Sequence, residues 1–152
     1  MPAEIVSIHI RSSPGGSIKE LEQAQLIAGN GIVGDRYFNE NADPETQITL
    51  IEEELVAKFN TDTGLDIEAS QTGRNVVTRG ISINDLIGKE IKLGDVKIKG
   101  EELCDPCKTL GTRLSTNGIP PPAIVKALVK RGGLRASILN DGVIRKGDRI
   151  KL

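Results

Sequence analysis

Two cysteines, four arginines and one asparagine are the residues whose types and spacing bear on chemistry. Cys104 and Cys107 stand in the run Glu101-Glu102-Leu103-Cys104-Asp105-Pro106-Cys107-Lys108-Thr109-Leu110. A thiolate, not a thiol, is the nucleophile and soft-metal ligand, and a nearby cation such as Lys108 or the start of a helical turn favours it. Asp105 opposes that shift. The CxxC pair leaves several roles open: a redox disulfide with Cys104 as partner, half of a zinc site, one functional cysteine beside a bystander, or two small buried hydrophobes. Zinc is disfavoured, because a structural site needs four ligands and the single histidine, His9, is far away in sequence. The βαβ setting of thioredoxin-like proteins is not apparent around the pair.

Three basic segments accompany it. In Gly31-Ile32-Val33-Gly34-Asp35-Arg36, two glycines three apart suggest a sharp turn that delivers Arg36 to a strand end. A guanidinium grips phosphate through parallel hydrogen bonds, although a solvated or locally paired Asp35 and Arg36 fit the same residues. In Thr72-Gly73-Arg74-Asn75, Arg74 adds a second fork and Asn75 an amide that donates and accepts, as a heterocycle edge requires. Asn75 could equally serve its own backbone in a turn. In Arg131-Gly132-Gly133-Leu134-Arg135, Arg131 suits a helix C-terminus whatever the function, while Arg135 falls within a strand pattern. His9 reads as a strand residue with a satisfied ring, and no nucleotide-binding glycine loop or marked nucleophilic serine is present.

The elements that must position these groups are mostly short strands. Residues 3–10 alternate apolar and polar, and Val96-Lys97-Ile98-Lys99 and Ile150-Lys151-Leu152 each follow a Gly-Asp turn. Further strands are expected at 22–28, 46–51, 65–69, 74–78, 89–93 and 134–140. Helical spacing and first-turn acids predict a helix over 51–60. A second is expected over 122–131, after Pro120-Pro121 and before Gly132-Gly133, and a short third near Pro106. Seventeen glycines between β-branched runs agree with many strands and tight turns. The expectation is a mainly β protein, a closed or nearly closed barrel with a few short helices, formed as a single domain over 1–152.

Composition narrows the function classes. Twenty basic against twenty-one acidic residues give a net charge of −1, so no overall field attracts a polyanion or membrane surface, and any anion site must be local. Tyr37, Phe38 and Phe59 are the only aromatics, too few for the stacking platforms of single-stranded nucleic-acid binders. No apolar run approaches the roughly 18 residues of a membrane span. The N-terminus has no basic leader before an apolar stretch, which together with the CxxC pair suggests a cytoplasmic protein.

The basic segments and the cysteine pair, in this order, resemble the MOSC domain family, found at the C-terminus of molybdenum cofactor sulfurases and as independent proteins. The matching pieces are GIVGDR at 31–36, GRNVVTRG at 73–80, NDLIGKEIKLGDVKI at 84–98, CDPCKTL at 104–110 and RGGLRASILNDGVIRKGD at 131–148. The resemblance implies a β-barrel with few helices. It also implies a signature cysteine that carries sulfur or ligates molybdenum, matched by Cys107 better than by Cys104. Arg36, Arg74 and Arg135, with Asn75 beside them, would hold the phosphate of a molybdenum-pterin cofactor. The chain has no room for the sulfurases' pyridoxal-phosphate domain, so that cofactor is not expected. The separate N-terminal β-domain of the related reductases is likewise not expected here. Two classes of function stay open: a sulfur- or oxygen-transfer enzyme using Cys107, or a carrier that hands the pterin to a partner molybdoenzyme, with a sulfur-donor protein as a further partner. A thiol redox protein is a third.

Overall fold

The computed structural model describes residues 2–104, 111, 114 and 119–152. Eleven strands dominate it: β1 (Glu4–Ile10), β2 (Lys19–Leu21), β3 (Gln23–Ile27), β4 (Gly31–Ile32), β5 (Ile48–Glu52), β6 (Val76–Arg79), β7 (Glu90–Leu93), β8 (Val96–Leu103), β9 (Leu134–Ile138), β10 (Gly142–Arg145) and β11 (Ile150–Lys151). Two α-helices accompany them, α1 (Glu53–Thr63) and α2 (Pro121–Ala127). Eight strands form one sheet in the order β11-β7-β8-β9-β5-β6-β1-β2, and β10-β3-β4 form another. The larger sheet curls until the β11 end meets β1. Ile5 N–H donates to the Asp148 carbonyl at 2.9 Å and Ile150 N–H to the Ala3 carbonyl at 2.9 Å, with an antiparallel bridge between Glu4 and Arg149. The result is the mainly β barrel expected from the alternating pattern.

Alternation also explains why the sheet is two-sided at β5 and β6. Ile48, Leu50 and Val76 point into the barrel with Ile8, Ile91, Ile98, Leu134 and Ile138, whereas Ile51 and Val77 point outward. The outward pair is covered by Val56 and Phe59 of α1, Ile124 of α2, Leu128 and Leu114. Successive strand residues face opposite sides, so adjacent apolar residues such as Leu50 and Ile51, both buried, mark a strand covered on both faces there. β5 and β6 run parallel, and α1 is the crossover that parallel neighbours require. That one βαβ unit does not contain the CxxC pair.

Three expectations need correction. Residues 65–69 are not a strand: the Ile67 N–H donates to Asn60 Oδ1 at 3.0 Å and its carbonyl accepts from Asn60 Nδ2 at 2.9 Å. With both backbone groups taken by a helix side chain, no ladder is needed there, and Ala69–Thr72 turns as a short 3-10 helix. The helix expected over 51–60 begins two residues later, because Ile51 and Glu52 complete β5. It runs on to Thr63, where Gly64 at φ 76° caps it. The helix expected over 122–131 stops at Ala127. Lys130 takes a left-handed φ of 62°, and Arg131 turns back to pair with Asp62 at 2.7 Å. The third expected helix begins near Pro106, outside the described residues. No helix among the described residues is long and apolar enough to cross a membrane.

His9 is buried on β1, its Nε2 2.8 Å from Ser7 Oγ. Desolvation holds its pKa below the ordinary 6.5, against a smaller opposing pull from Glu20. The unfolded chain therefore takes up this proton first: the stability from a neutral His9 is complete above about pH 6.5 and is lost as pH falls toward the folded value. Glu52 acts in the opposite sense. Burial raises its pKa, so its share is present below 4.5 and lost as pH rises through the folded value. Urea titrations of the wild type and H9Q across pH 7 to 5 should show a shallower decline in the variant. Phe59 is fully buried, and F59A should cost about 3–5 kcal/mol in the same assay.

Candidate functional site

Four neighbouring strands, in the order β9-β5-β6-β1, bring the candidate residues to one end of the barrel. Register does the alignment. Arg135 on β9 lies opposite Thr49 on β5, Leu50 lies beside Val76 on β6, and Val76 faces Ile8 on β1. Thr49, Asn75 and His9 therefore stand at one level, with Arg74 at the entry to β6 and Arg11 just past the end of β1. The turn after β4 adds Asp35, Arg36 and Tyr37. All of these named side chains except the buried His9, Leu50, Val76 and Ile8 line a cavity of about 240 Å³, completed by Glu45, Thr46 and Gly73. Arg36, Arg74, Asn75 and Arg135, singled out separately in the sequence, thus share one hollow. Its lining carries four arginines against two carboxylates, Asp35 and Glu45.

Each arginine is held differently. Arg74 Nε donates to the Gly132 carbonyl at 2.6 Å, which leaves its terminal nitrogens for other acceptors. The Gly-Gly pair makes this approach possible. A β-carbon on Gly132 would stand 2.5 Å from the Cys104 carbonyl and 3.7 Å from Arg74 Nη2. Gly133, at φ 106°, would place one 2.3 Å from the Leu50 carbonyl. Arg36 lies over the Tyr37 ring, its guanidinium carbon 4.5 Å from the centroid, and donates to Tyr37 Oη at 3.2 Å. Arg135 faces Glu102 at 3.6 Å, a half-exposed pair that solvent screens. A register shift in β8 between Gly100 and Glu102 puts Glu102 opposite Arg135.

Asp35 is locally paired, but to backbone: Oδ1 accepts from Arg11 N–H at 3.2 Å and Oδ2 from Tyr37 N–H at 3.3 Å. Arg36 N–H donates to the Arg11 carbonyl at 2.8 Å, which ties this turn to the end of β1. Asn75 is largely committed to the scaffold. Its Oδ1 accepts from Thr49 N–H at 3.0 Å and from Thr49 Oγ1 at 3.1 Å, and its Nδ2 donates to the His9 carbonyl at 3.1 Å. One amide N–H is left over for a ligand, not a full donor–acceptor edge.

Sequence reasoning missed Arg11, Tyr37 and Thr49. Tyr37 is adjacent to Arg36 and had a local signal; Arg11 and Thr49 join through tertiary pairing alone. Beyond the Arg36–Tyr37 wall a second hollow of about 450 Å³ is lined by Phe38, Asn39 and Asp43 among others. Cys104 is buried at 2% exposure at the end of β8, its N–H donating to the Gly133 carbonyl at 2.7 Å. Cys107, three residues on, lies outside the described residues. Among those described, no group of three or more His, Cys, Asp and Glu could hold a metal ion.

A MOSC domain family model matches residues 35–151. The chain belongs to the MOSC domain family. Among solved structures it is similar to YuaD from Bacillus subtilis, with a TM-score of 0.88 at 20% identity over 99% of this chain and 94% of that one. It is also similar to YiiM from Geobacillus stearothermophilus (TM-score 0.75, 17% identity, 99% and 75% covered). The same holds for YiiM from Escherichia coli (0.70, 16%, 99% and 68%). At these identities the likeness shows the shared MOSC fold and not a shared reaction. No curated protein matches the chain.

Asn75 ties three strands of this MOSC barrel at the site's edge. N75A would leave the Thr49 N–H and the His9 carbonyl without partners in a buried setting, at about 2–4 kcal/mol by urea denaturation.

Proposed function

We propose that this MOSC domain binds a molybdenum-pterin cofactor through its phosphate, with the Cys107 thiolate serving as sulfur carrier or soft molybdenum ligand. The observation that carries the reading is the convergence of Arg36, Arg74 and Arg135 from three distant segments on one cavity with an excess of positive charge. A phosphate dianion takes two parallel hydrogen bonds from each fork it meets, and in a confined space such charge-assisted bonds are strong. The residues present fit that group. Arg74 is already oriented by the Gly132 carbonyl, Arg36 by Tyr37, and the remaining Asn75 side-chain N–H can meet an oxygen atom at the rim. The neighbouring hollow beyond Tyr37 offers space for parts of a ligand larger than phosphate.

Cys104 leaves β8 beside Gly132 and Gly133, the segment that also holds Arg74. The CDPCKTL run therefore starts next to the glycine pair that holds Arg74, one of the cavity's arginines. Burial of Cys104 limits thiol exchange at that sulfur and supports giving the reactive role to Cys107. When bound, the cofactor would supply molybdenum as the centre for oxygen-atom or sulfur transfer. The chain's part is to clamp the phosphate, hold the pterin in one orientation and present one soft ligand.

The test is metal and pterin content of protein purified from a host that makes the cofactor and from one that does not. Wild-type protein from the first host alone should retain both. R74A should lose the pterin while keeping its fold by circular dichroism, and C107S should keep the fold but lose molybdenum or bound sulfur. Wild-type protein without pterin, or R74A loaded as fully as wild type, would sink the reading. Pterin and metal that survive C107S yet fail in R74A would make the protein a carrier for a partner molybdoenzyme.

A further inference from the structure

Arg11 lies outside the segment matched by the family model and in none of the basic motifs of the sequence, yet it lines the same cavity as Arg36, Arg74 and Arg135. Its Nε is buried and meets no hydrogen-bond acceptor among the described residues. A cationic donor without an acceptor is costly to hide, and a bound ion or ligand beside the side chain is one way a native structure comes to carry it. The nearest carboxylate does not serve. Asp35 spends its oxygens on the backbone N–H groups of Arg11 and Tyr37, which fixes where Arg11 sits but leaves its Nε unmet. Arg36 stands close enough to repel it, and burial together with that repulsion lowers the Arg11 pKa despite the opposing effect of Asp35.

We propose that Arg11 is a further anion-binding residue of this site, its guanidinium donating from the cavity wall to a phosphate-type dianion that Arg36 and Arg74 grip as well. The inference rests on reading the arginine cavity as an anion site, and it adds a ligand-binding role to a strand-end residue. It also predicts an unusual balance. A side chain whose donor is unmet and whose charge is repelled contributes little to the ligand-free fold and much to the ligand-bound one.

Inorganic phosphate is the probe, added to the full chain at constant ionic strength and followed by thermal unfolding and by calorimetric titration. Phosphate should raise the melting temperature of the wild type. R11M, which replaces the buried cation with an apolar chain of similar length, should melt at or above the wild-type temperature without phosphate. It should gain nothing from phosphate and bind it about tenfold or more weakly. R11K keeps the charge but has no Nε–H fork, and it should recover only part of that loss; a folded R11K also decides the matter if R11M does not fold. R11M or R11K that binds phosphate like the wild type, while R74A does not, overturns the assignment of Arg11 and leaves the cavity an anion site. R11M that melts well below the wild type would make Arg11 a structural residue instead. A wild type that does not respond to phosphate overturns both readings together.

Discussion

Bringing like charges together is the constraint around which this end of the barrel is built. Guanidinium groups repel one another, and removing them from water adds to the cost. The fold offsets part of it by attaching two of the four arginines to groups that are not carboxylates. Arg74 is tied to the Gly132 carbonyl and Arg36 to a tyrosine ring and hydroxyl; among the described residues only Arg135 of the cavity has an ion-paired acidic partner, across a half-exposed gap. Asp35, the acid best placed to neutralise the cluster, is turned onto backbone N–H groups. Had it paired with a guanidinium, the local charge would have been quenched. The arrangement gives up stability at one spot to keep a field directed into a hollow.

The scaffold can bear this because the site lies on rigid strands. β9, β5, β6 and β1 are hydrogen-bonded neighbours with fixed register, so Arg135, Thr49, Asn75 and the approach to Arg11 are aligned by the same ladder that closes the barrel. Asn75 joins the layers, accepting from β5 and donating to β1 while its own backbone lies at the entry to β6. The Gly132–Gly133 pair has the complementary task of bringing two chains closer than any side chain would allow. Helices α1 and α2 pack on the outward face of β5 and β6, the face that by alternation also carries Thr49 and Asn75, and stiffen the strands beside the site.

Much of this was legible in the sequence, for reasons that can be named. Period-two alternation and Gly-Asp turns are local, so most long strands and the barrel class could be read directly. Arg36, Arg74 and Arg135 stood out because each follows or precedes glycines that force a turn. Arg11 did not, since it ends a strand with no local mark, and its neighbours in space, Asp35 and Arg36, come from a turn more than twenty residues later. Residues 65–69 misled because apolar alternation in Leu65-Asp66-Ile67 serves helix packing, with Asn60 standing in for a strand partner. Asn75 was placed correctly, but its amide proved to be mostly a fastener between strands.

Closure of the barrel through Ala3–Ile5 and Asp148–Ile150 has a kinetic consequence. On the ribosome, the first strand emerges long before the last segment that pairs with its second edge. Until then that edge is an open row of donors and acceptors, the kind of template on which chains misassociate. Contacts so distant along the chain also slow the search for the native topology. The acid at Glu4 and the nearby Arg79, which bonds to it at 2.9 Å, put charge on the edge while it waits.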